Sequence, residues 1–148
     1  MKIVWRAAFI LLLSITAGWA AKKALIVSVP SHFQGELKHG IEIDTANMSN
    51  MLTGYGFEIE KLADESATTE RLREKLREYQ NMQSDDIFLL YYSGHGAQIP
   101  DNNGDENDGR DETIVLYDYA GDENIKGLFV DDEMFRLLVA IPAKKFVF

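Results

Sequence analysis

The sequence contains no cysteine. That absence excludes disulfides, zinc–thiolate centres and iron–sulfur clusters, and it leaves the chain without a thiol nucleophile of its own. Basic residues are also scarce: 15 Lys and Arg stand against 24 Asp and Glu, a net charge of −9. Phosphate backbones need a basic face, so general nucleic-acid binding is excluded. Only 3 prolines and 11 glycines occur among 148 residues, which rules out collagen-like and Pro-rich low-complexity chains. Internal repeats and linkers are lacking too. What is present suits one soluble globular domain: 46% hydrophobic and 26% charged residues, in a length typical of a single unit.

Residues 1–20 read as a secretory signal peptide. Lys2 and Arg6 form a short basic region, Ala7 to Ala17 is nearly all apolar, and Gly18-Trp19-Ala20 offers small residues for cleavage after Ala20. The apolar run falls short of the ~20 residues that span a bilayer as a helix, and no second such run follows. The alternatives are an uncleaved anchor or a buried strand. The expectation is an exported protein, periplasmic or extracellular, with no stable membrane insertion after cleavage.

From Lys22 the chain alternates strand and helix. Ala24 to Val29 is a continuous apolar run, the pattern of a strand buried on both faces, and Pro30 ends it. Ser31 to Gly40 reads as a polar loop. Ile41, Thr45, Met48, Leu52 and Tyr55 then fall at helical spacing. Phe57 to Leu62 alternates as a half-exposed strand does. Thr68 or Thr69 can cap a second helix with Leu72, Leu76 and Tyr79 on one side; the charges on the other, Lys75 among them, read as a solvated face. Ile87 to Tyr92 is the strand expected to be most buried. Gly94 to Glu112 reads as a long polar loop, Ile114 to Leu116 as a short strand, and Asp131 as the cap of a helix burying Met134, Phe135, Leu138 and Ile141. Lys144 to Phe148 begins another apolar run. This order predicts an α/β fold with a mainly parallel sheet flanked by helices, whose site gathers at the carboxyl ends of the strands.

Ser93-Gly94-His95-Gly96 follows the buried strand directly. Flanking glycines leave the ring unshielded and let a substrate approach. Histidine titrates near neutral pH, so such a residue can accept and donate a proton; the alternative is a turn histidine without a role. The next segment crowds Asp101, Asp105, Glu106, Asp108, Asp111 and Glu112 together. Like charges so placed call for a cation or for water, and oxygen-only ligands on a Gly-broken loop suit Ca²⁺. Asp101, Asn103, Asp105 and Glu112 imitate EF-hand spacing, but Glu106 stands where that loop needs Gly and a strand precedes it. Asp131-Asp132-Glu133 is a second acidic cluster, which a helix N-terminus also explains. His32 and His39 read as loop residues, Tyr91 and Tyr92 as core-shaping strand residues.

Taken together these segments resemble the caspase-like cysteine peptidases, most closely bacterial metacaspases. The resemblance runs from Lys23 to Phe148. It rests on Lys23 to Val27, Gly40 to Met48, Gly54 to Phe57, Tyr91 to Gln98, Gly104 to Glu112 and Asp131-Asp132-Glu133. It implies a three-layer caspase-like domain over 21–148 and a Cys–His dyad that hydrolyses polypeptide substrates after Arg or Lys. His95 would be its histidine and the Gly96 N–H an oxyanion donor. Asp44 would be the buried carboxylate of the substrate pocket, with an ordinary N-terminal helix acid as the alternative, and Ser93 would join it in the pocket. Calcium would act as activator on Asp131 and Asp132 with one or more of Asp105, Asp108 and Asp111. No organic cofactor is implied, and the oligomeric state is left open.

The chain departs from the family in one respect. The nucleophile there follows the next strand, in an Asp-x-Cys-His-Ser-Gly segment, and Lys145 to Phe148 reads as the start of that strand. The expectation is a catalytic domain cut short, inactive by itself. The competing readings are a catalytically silent calcium-binding module and, further off, a receiver or flavodoxin-like domain. Val29-Pro30-Ser31 lacks the paired acids a receiver needs, and a nucleotide site would want a Gly-rich turn where only Gly40 stands.

Overall fold

The computed structural model describes residues 20–121 and 125–147; the signal-peptide reading, but for Ala20, lies outside the described residues. The elements run β1 (Lys22–Ser28), α1 (Gly35–Gly54), β2 (Glu58–Ala63), α2 (Thr69–Glu78), β3 (Ile87–Ser93), β4 (His95–Pro100), β5 (Arg110–Val115), β6 (Leu128–Val130), α3 (Asp131–Val139) and β7 (Lys144–Val147). The first sheet has the order β2-β1-β3-β7 and is parallel throughout. A second sheet, β4-β5-β6, is antiparallel.

The central strands show why the apolar runs form this sheet. Side chains alternate across a strand, so a strand covered on both faces must be apolar at every position. Leu25, Val27 and Val29 of the β1 segment join Phe88 and Leu90 of β3 on one face, under Leu72 and Leu76 of α2 and Ile141 after α3. Ala24, Ile26 and Leu89 join Leu52 of α1 on the other. Helices therefore cover both faces, and the three-layer α/β architecture expected from the sequence is what forms. Thr68 caps α2, its hydroxyl accepting from the Arg71 N–H.

Several elements differ from expectation. α1 starts at Gly35, inside the segment read as loop, and carries His39. Its first turns lack an apolar stripe and a capping side chain, and Lys38 pairs with Glu42 at 4.0 Å instead. Tyr55 caps the other end and is exposed. Nearly half of the "loop" after Gly94 lies in the β4–β5 ribbon; in β5 the residues turned inward start with Asp111 and Thr113, which are polar, so no apolar alternation announces the strand before Ile114. β5 starts at Arg110 rather than Ile114. Asp131 is the first residue of α3, not its cap; Val130 holds the cap position without a side-chain bond. Phe135 is exposed, while Ile141 is buried and Met134 and Leu138 are partly so. β1 is buried more completely than β3. Lys75 is not solvated: it is 8% exposed and bonds to Glu60 and Glu78, both at 2.7 Å. Burial of an ammonium needs such partners.

Asp86 ties together the amino ends of three parallel strands. Its carboxylate accepts from the Gln83 N–H (2.8 Å) and the Ala21 N–H (2.7 Å), and its carbonyl accepts from the Lys144 N–H (3.0 Å). The Gln83 and Ala21 donors hold the carboxyl below its ordinary value. A carboxylate depressed in the folded state stabilises fully above its unfolded value of 3.8 and loses that contribution as pH falls below it. Asp86→Asn would turn an amide donor toward one of these N–H groups. Thermal melts from neutral pH downward should show a deficit for Asp86→Asn that narrows below that value; a deficit independent of pH would contradict the assignment.

Candidate active site

The carboxyl ends of β1 and β3 lie side by side, where the Val29 N–H donates to the Ser93 carbonyl at 3.1 Å. From there β1 runs into a short 3-10 turn, Pro30–His32, which sets His32 and Phe33 over the end of β3. β3 ends at Ser93 and β4 opens at His95, so Gly94 alone carries the chain from one sheet to the other. A Cβ on Gly94 would run into the Tyr92 hydroxyl, so any side chain there would have to push that ring aside. That hydroxyl shares its one proton between two carbonyls, of Val115 at 2.7 Å and of His95 at 2.9 Å. Burial holds the Tyr92 phenol above its ordinary value, so it keeps the proton it donates.

His95 is exposed, as its Gly neighbours predict. Phe33 meets its ring edge-on, with centroids 5.7 Å apart at 86°. His95 and His32 line one open depression of about 320 Å³ with Val115, Tyr119, Ala120 and Gly121. His32 is thus not an ordinary loop residue; its ring stacks on Tyr117 at 6.3 Å. The wall on that side is anchored by Asp118, which accepts from the Thr69 N–H (3.0 Å) and hydroxyl (3.1 Å) at the start of α2. None of the ion pairs among the described residues involves His95. The imidazole therefore faces solvent with one aromatic edge beside it, free to exchange a proton with a bound group.

Gly96, next in β4, is exposed opposite Ile114. A Cβ there would meet the Thr113 carbonyl at an ordinary 3.6 Å, so packing alone does not demand glycine. Ser93 is half-buried at the end of β3. Strand alternation puts it with Leu89 and Tyr91 on the α1 side, the side that carries Asp44. Asp44 lies mid-helix, which removes the alternative reading of an N-terminal helix acid. It is exposed rather than buried, because among the described residues nothing covers this stretch of α1; it borders a shallow depression with Asn47, Met48, Met51 and Tyr91. Asp44 and His95 do not share a depression.

The acidic residues do come together. Asp101 builds the tip of the β4–β5 ribbon: its carboxylate accepts from the N–H groups of Gly104 (2.7 Å), Asn103 (2.8 Å) and Glu106 (3.2 Å), which hold it below its ordinary value. Carboxylate oxygens of Asp101, Asp105 and Asp111 lie within 4.8 Å of one another, and so do those of Glu106, Glu112 and Asp131. Asp111 is 7% exposed. Burial, then Asp101, Asp131, Asp132 and Asp105, push its carboxyl up. Asp108 and Asp132 fall in neither group. Asp108 accepts from the Arg110 N–H at 3.1 Å, and Asp132 accepts from the Asn103 amide at 2.7 Å, which joins the tip to α3. Asp101, Glu106 and Glu112 stand in these groups, although the residues named for calcium from the family resemblance were Asp105, Asp108, Asp111, Asp131 and Asp132. The EF-like spacing that begins at Asp101 was the signal for the first. Burial first, and the neighbouring carboxylates after it, raise Asp111 and Glu106, and oxygen-only donors so placed fit a hard cation such as Ca²⁺.

The chain is similar to known proteins. The caspase domain (peptidase C14) model matches residues 21–148. Metacaspase-1A of Aspergillus terreus is 33% identical over 129 residues, covering 80% of this chain and 31% of that protein. Metacaspase-1 of Kluyveromyces lactis is 32% identical over 130 residues, covering 80% and 29%. The crystal structure of protein GSU0716 from Geobacter sulfurreducens superposes with a TM-score of 0.64 at 29% identity, over 85% of this chain and 48% of that one. The chain spans about a third of the length of the curated relatives it matches. With the matched segment running from the first strand to the last residue, the chain belongs to the caspase-domain family and has metacaspases among its relatives.

Proposed function

We propose that this chain carries the histidine half of a Cys–His endopeptidase site that cuts polypeptides after Arg or Lys. The observation that supports it is the placement of His95: at the carboxyl edge of the parallel sheet, exposed, beside Phe33, in an open depression. In such a reaction a thiolate sulfur attacks the peptide carbonyl, a C–S bond forms and the C–N bond breaks. His95 delivers the proton to the departing amine, then takes one from the water that hydrolyses the thioester. The Gly96 N–H is the candidate oxyanion donor by family likeness. Asp44, with Ser93 on the same side of the sheet, is the candidate partner for a substrate cation. The sequence holds no thiol, so these 148 residues are expected not to hydrolyse peptides unaided. Reading the gene beyond Phe148 tests the proposal: an Asp-x-Cys-His-Ser-Gly within about 5–10 residues, the span of a strand end and turn, supports it, and a stop codon there favours a silent module.

Calcium belongs to the same proposal. Asp105 and Asp111 with Asp101, and Asp131 with Glu106 and Glu112, would hold it, and Asp108 and Asp132 lie close by. The cation would neutralise the crowded carboxylates and fasten the ribbon tip to α3. Export through residues 1–20 would place the protein where calcium is millimolar. Titration calorimetry should show Ca²⁺ binding, with a matching rise in Tm, and Asp111→Asn should weaken it about tenfold or more. No heat and no thermal shift at millimolar Ca²⁺ would sink this part.

A further inference from the structure

We infer that Tyr92 is a positioning residue for His95. The inference rests on the peptidase reading of His95 for its meaning in catalysis, but its geometry stands apart from that reading. Three observations carry it. The Tyr92 hydroxyl bonds to the carbonyl of His95 itself and to that of Val115. His95 and Val115 are direct partners in the β4–β5 register, so one hydroxyl clamps both strands at the pair that holds the histidine. The ring also occupies the space over Gly94, which is why that residue has no room for a Cβ.

The clamp sits at the break between the two ladders. Val29 bonds to Ser93, the last residue of the parallel sheet, and the antiparallel ladder begins at His95. Gly94 between them has the widest conformational choice of any residue. β5 and β6 are held to the parallel sheet by Leu116 and Phe129 in the shared core and by Asp118 on Thr69, which leaves the His95 end of β4 to be fixed where the chain passes Gly94. Tyr92 supplies the tie from the rigid side: its ring packs against the core cluster of Leu90, Phe88 and Leu116. The burial of the ring and the shared bond of its hydroxyl thus connect the core of the parallel sheet to the backbone of the histidine. A reacting histidine has to be held close to its productive geometry, and this is a side chain placed to do so.

Tyr92→Phe tests the inference on the chain as it is, because it removes the hydroxyl and keeps the ring. Hydrogen exchange over residues 93–97 should quicken about tenfold, the effect of one lost hydrogen bond of ordinary strength, while β1 and β2 stay as they were. Acylation of His95 by diethyl pyrocarbonate, read by mass spectrometry against His39 on α1 as internal reference, should rise severalfold as the ring leaves the edge of Phe33. A purely structural role would loosen the whole parallel sheet instead. Unchanged exchange over 93–97, equal quickening in β1, or an unaltered His95-to-His39 ratio each overturns the inference. Gly94→Ala, which pushes on the hydroxyl from the other side, should reproduce the local pattern; if that variant does not fold, Tyr92→Phe decides alone. Neither readout involves hydrolysis, so their failure leaves the peptidase reading intact. Full activity of a His95→Ala variant in a thiol-bearing product would fault that reading without touching the clamp.

Discussion

Replacing His95 by Ala in a gene product that carries the thiol should lower kcat/KM about 10²–10⁴-fold, the usual worth of a placed proton-transfer group. The loss should fall on kcat, because the imidazole acts on the departing amine and the attacking water more than on the bound peptide. The substitution should cost the fold little. His95 is exposed, its backbone bonds survive, and its aromatic neighbour among the described residues is Phe33. Circular dichroism and Tm near those of the parent would separate lost chemistry from lost structure. A variant that keeps more than a tenth of the activity would place the proton transfer elsewhere, and His32, which lines the same depression, would be the next residue to replace.

The second large effect lies in the core that aims the site. Phe88 is fully buried on β3, its ring 4.5 Å from that of Tyr79, in the cluster that joins β1, β3, α2 and Ile141. Phe88→Ala should cost about 3–5 kcal/mol, since both the transfer term and the cavity term apply at a site closed on every side. Against a total stability of about 5–15 kcal/mol that is a large share. Urea unfolding should show a lower midpoint at an unchanged slope. Phe146→Ala on β7, at 50% exposure, serves as the contrast and should stay within about 0.5 kcal/mol. Equal losses at the two positions would mean that the core is not where the structure puts it. The same strand that Phe88 fixes ends at Ser93, so a loosened β3 loosens the platform of His95.

How much of this could be read from the residues depends on what buries them. β1 and β3 were legible because a strand covered on both faces is apolar at every position, and few other elements of that length are. α2 was legible from its Thr68 cap and its Leu72–Leu76 stripe, yet Lys75 on its supposedly solvated side is buried. Its partner Glu60 comes from β2, and no local pattern announces a contact across elements. The β4–β5 ribbon was hidden because its inward positions include polar Asp111 and Thr113, which are buried although the sequence pattern marks them as loop. Phe135 misled for the opposite reason: an aromatic residue at helical spacing predicts burial, but α3 turns it outward.

The site divides along the same line. His95 stood out as Gly-His-Gly after an apolar strand, a pattern that a turn histidine without a role fits as well, and the role proposed for it came from the family resemblance. The meeting of the ribbon tip with α3 could be expected from the two acidic clusters, whereas the way they sort, with Asp131 beside Glu106 and Glu112 and with Asp108 and Asp132 apart, depends on the turn that Asp101 builds. Tyr92 looked like one more core residue. Its role is invisible in the sequence because Val115, one of its partners, lies on a strand of the other sheet.

The most direct measurement is hydrolysis of an Arg- or Lys-containing peptide by the gene product that includes whatever follows Phe148, set beside the 148-residue chain and beside His95→Ala. The account predicts cleavage on the carboxyl side of the basic residue by the longer product, stopped by iodoacetamide and by His95→Ala, and none from the 148 residues. Cleavage by the 148 residues, or a longer product that cuts equally well without His95, would contradict it.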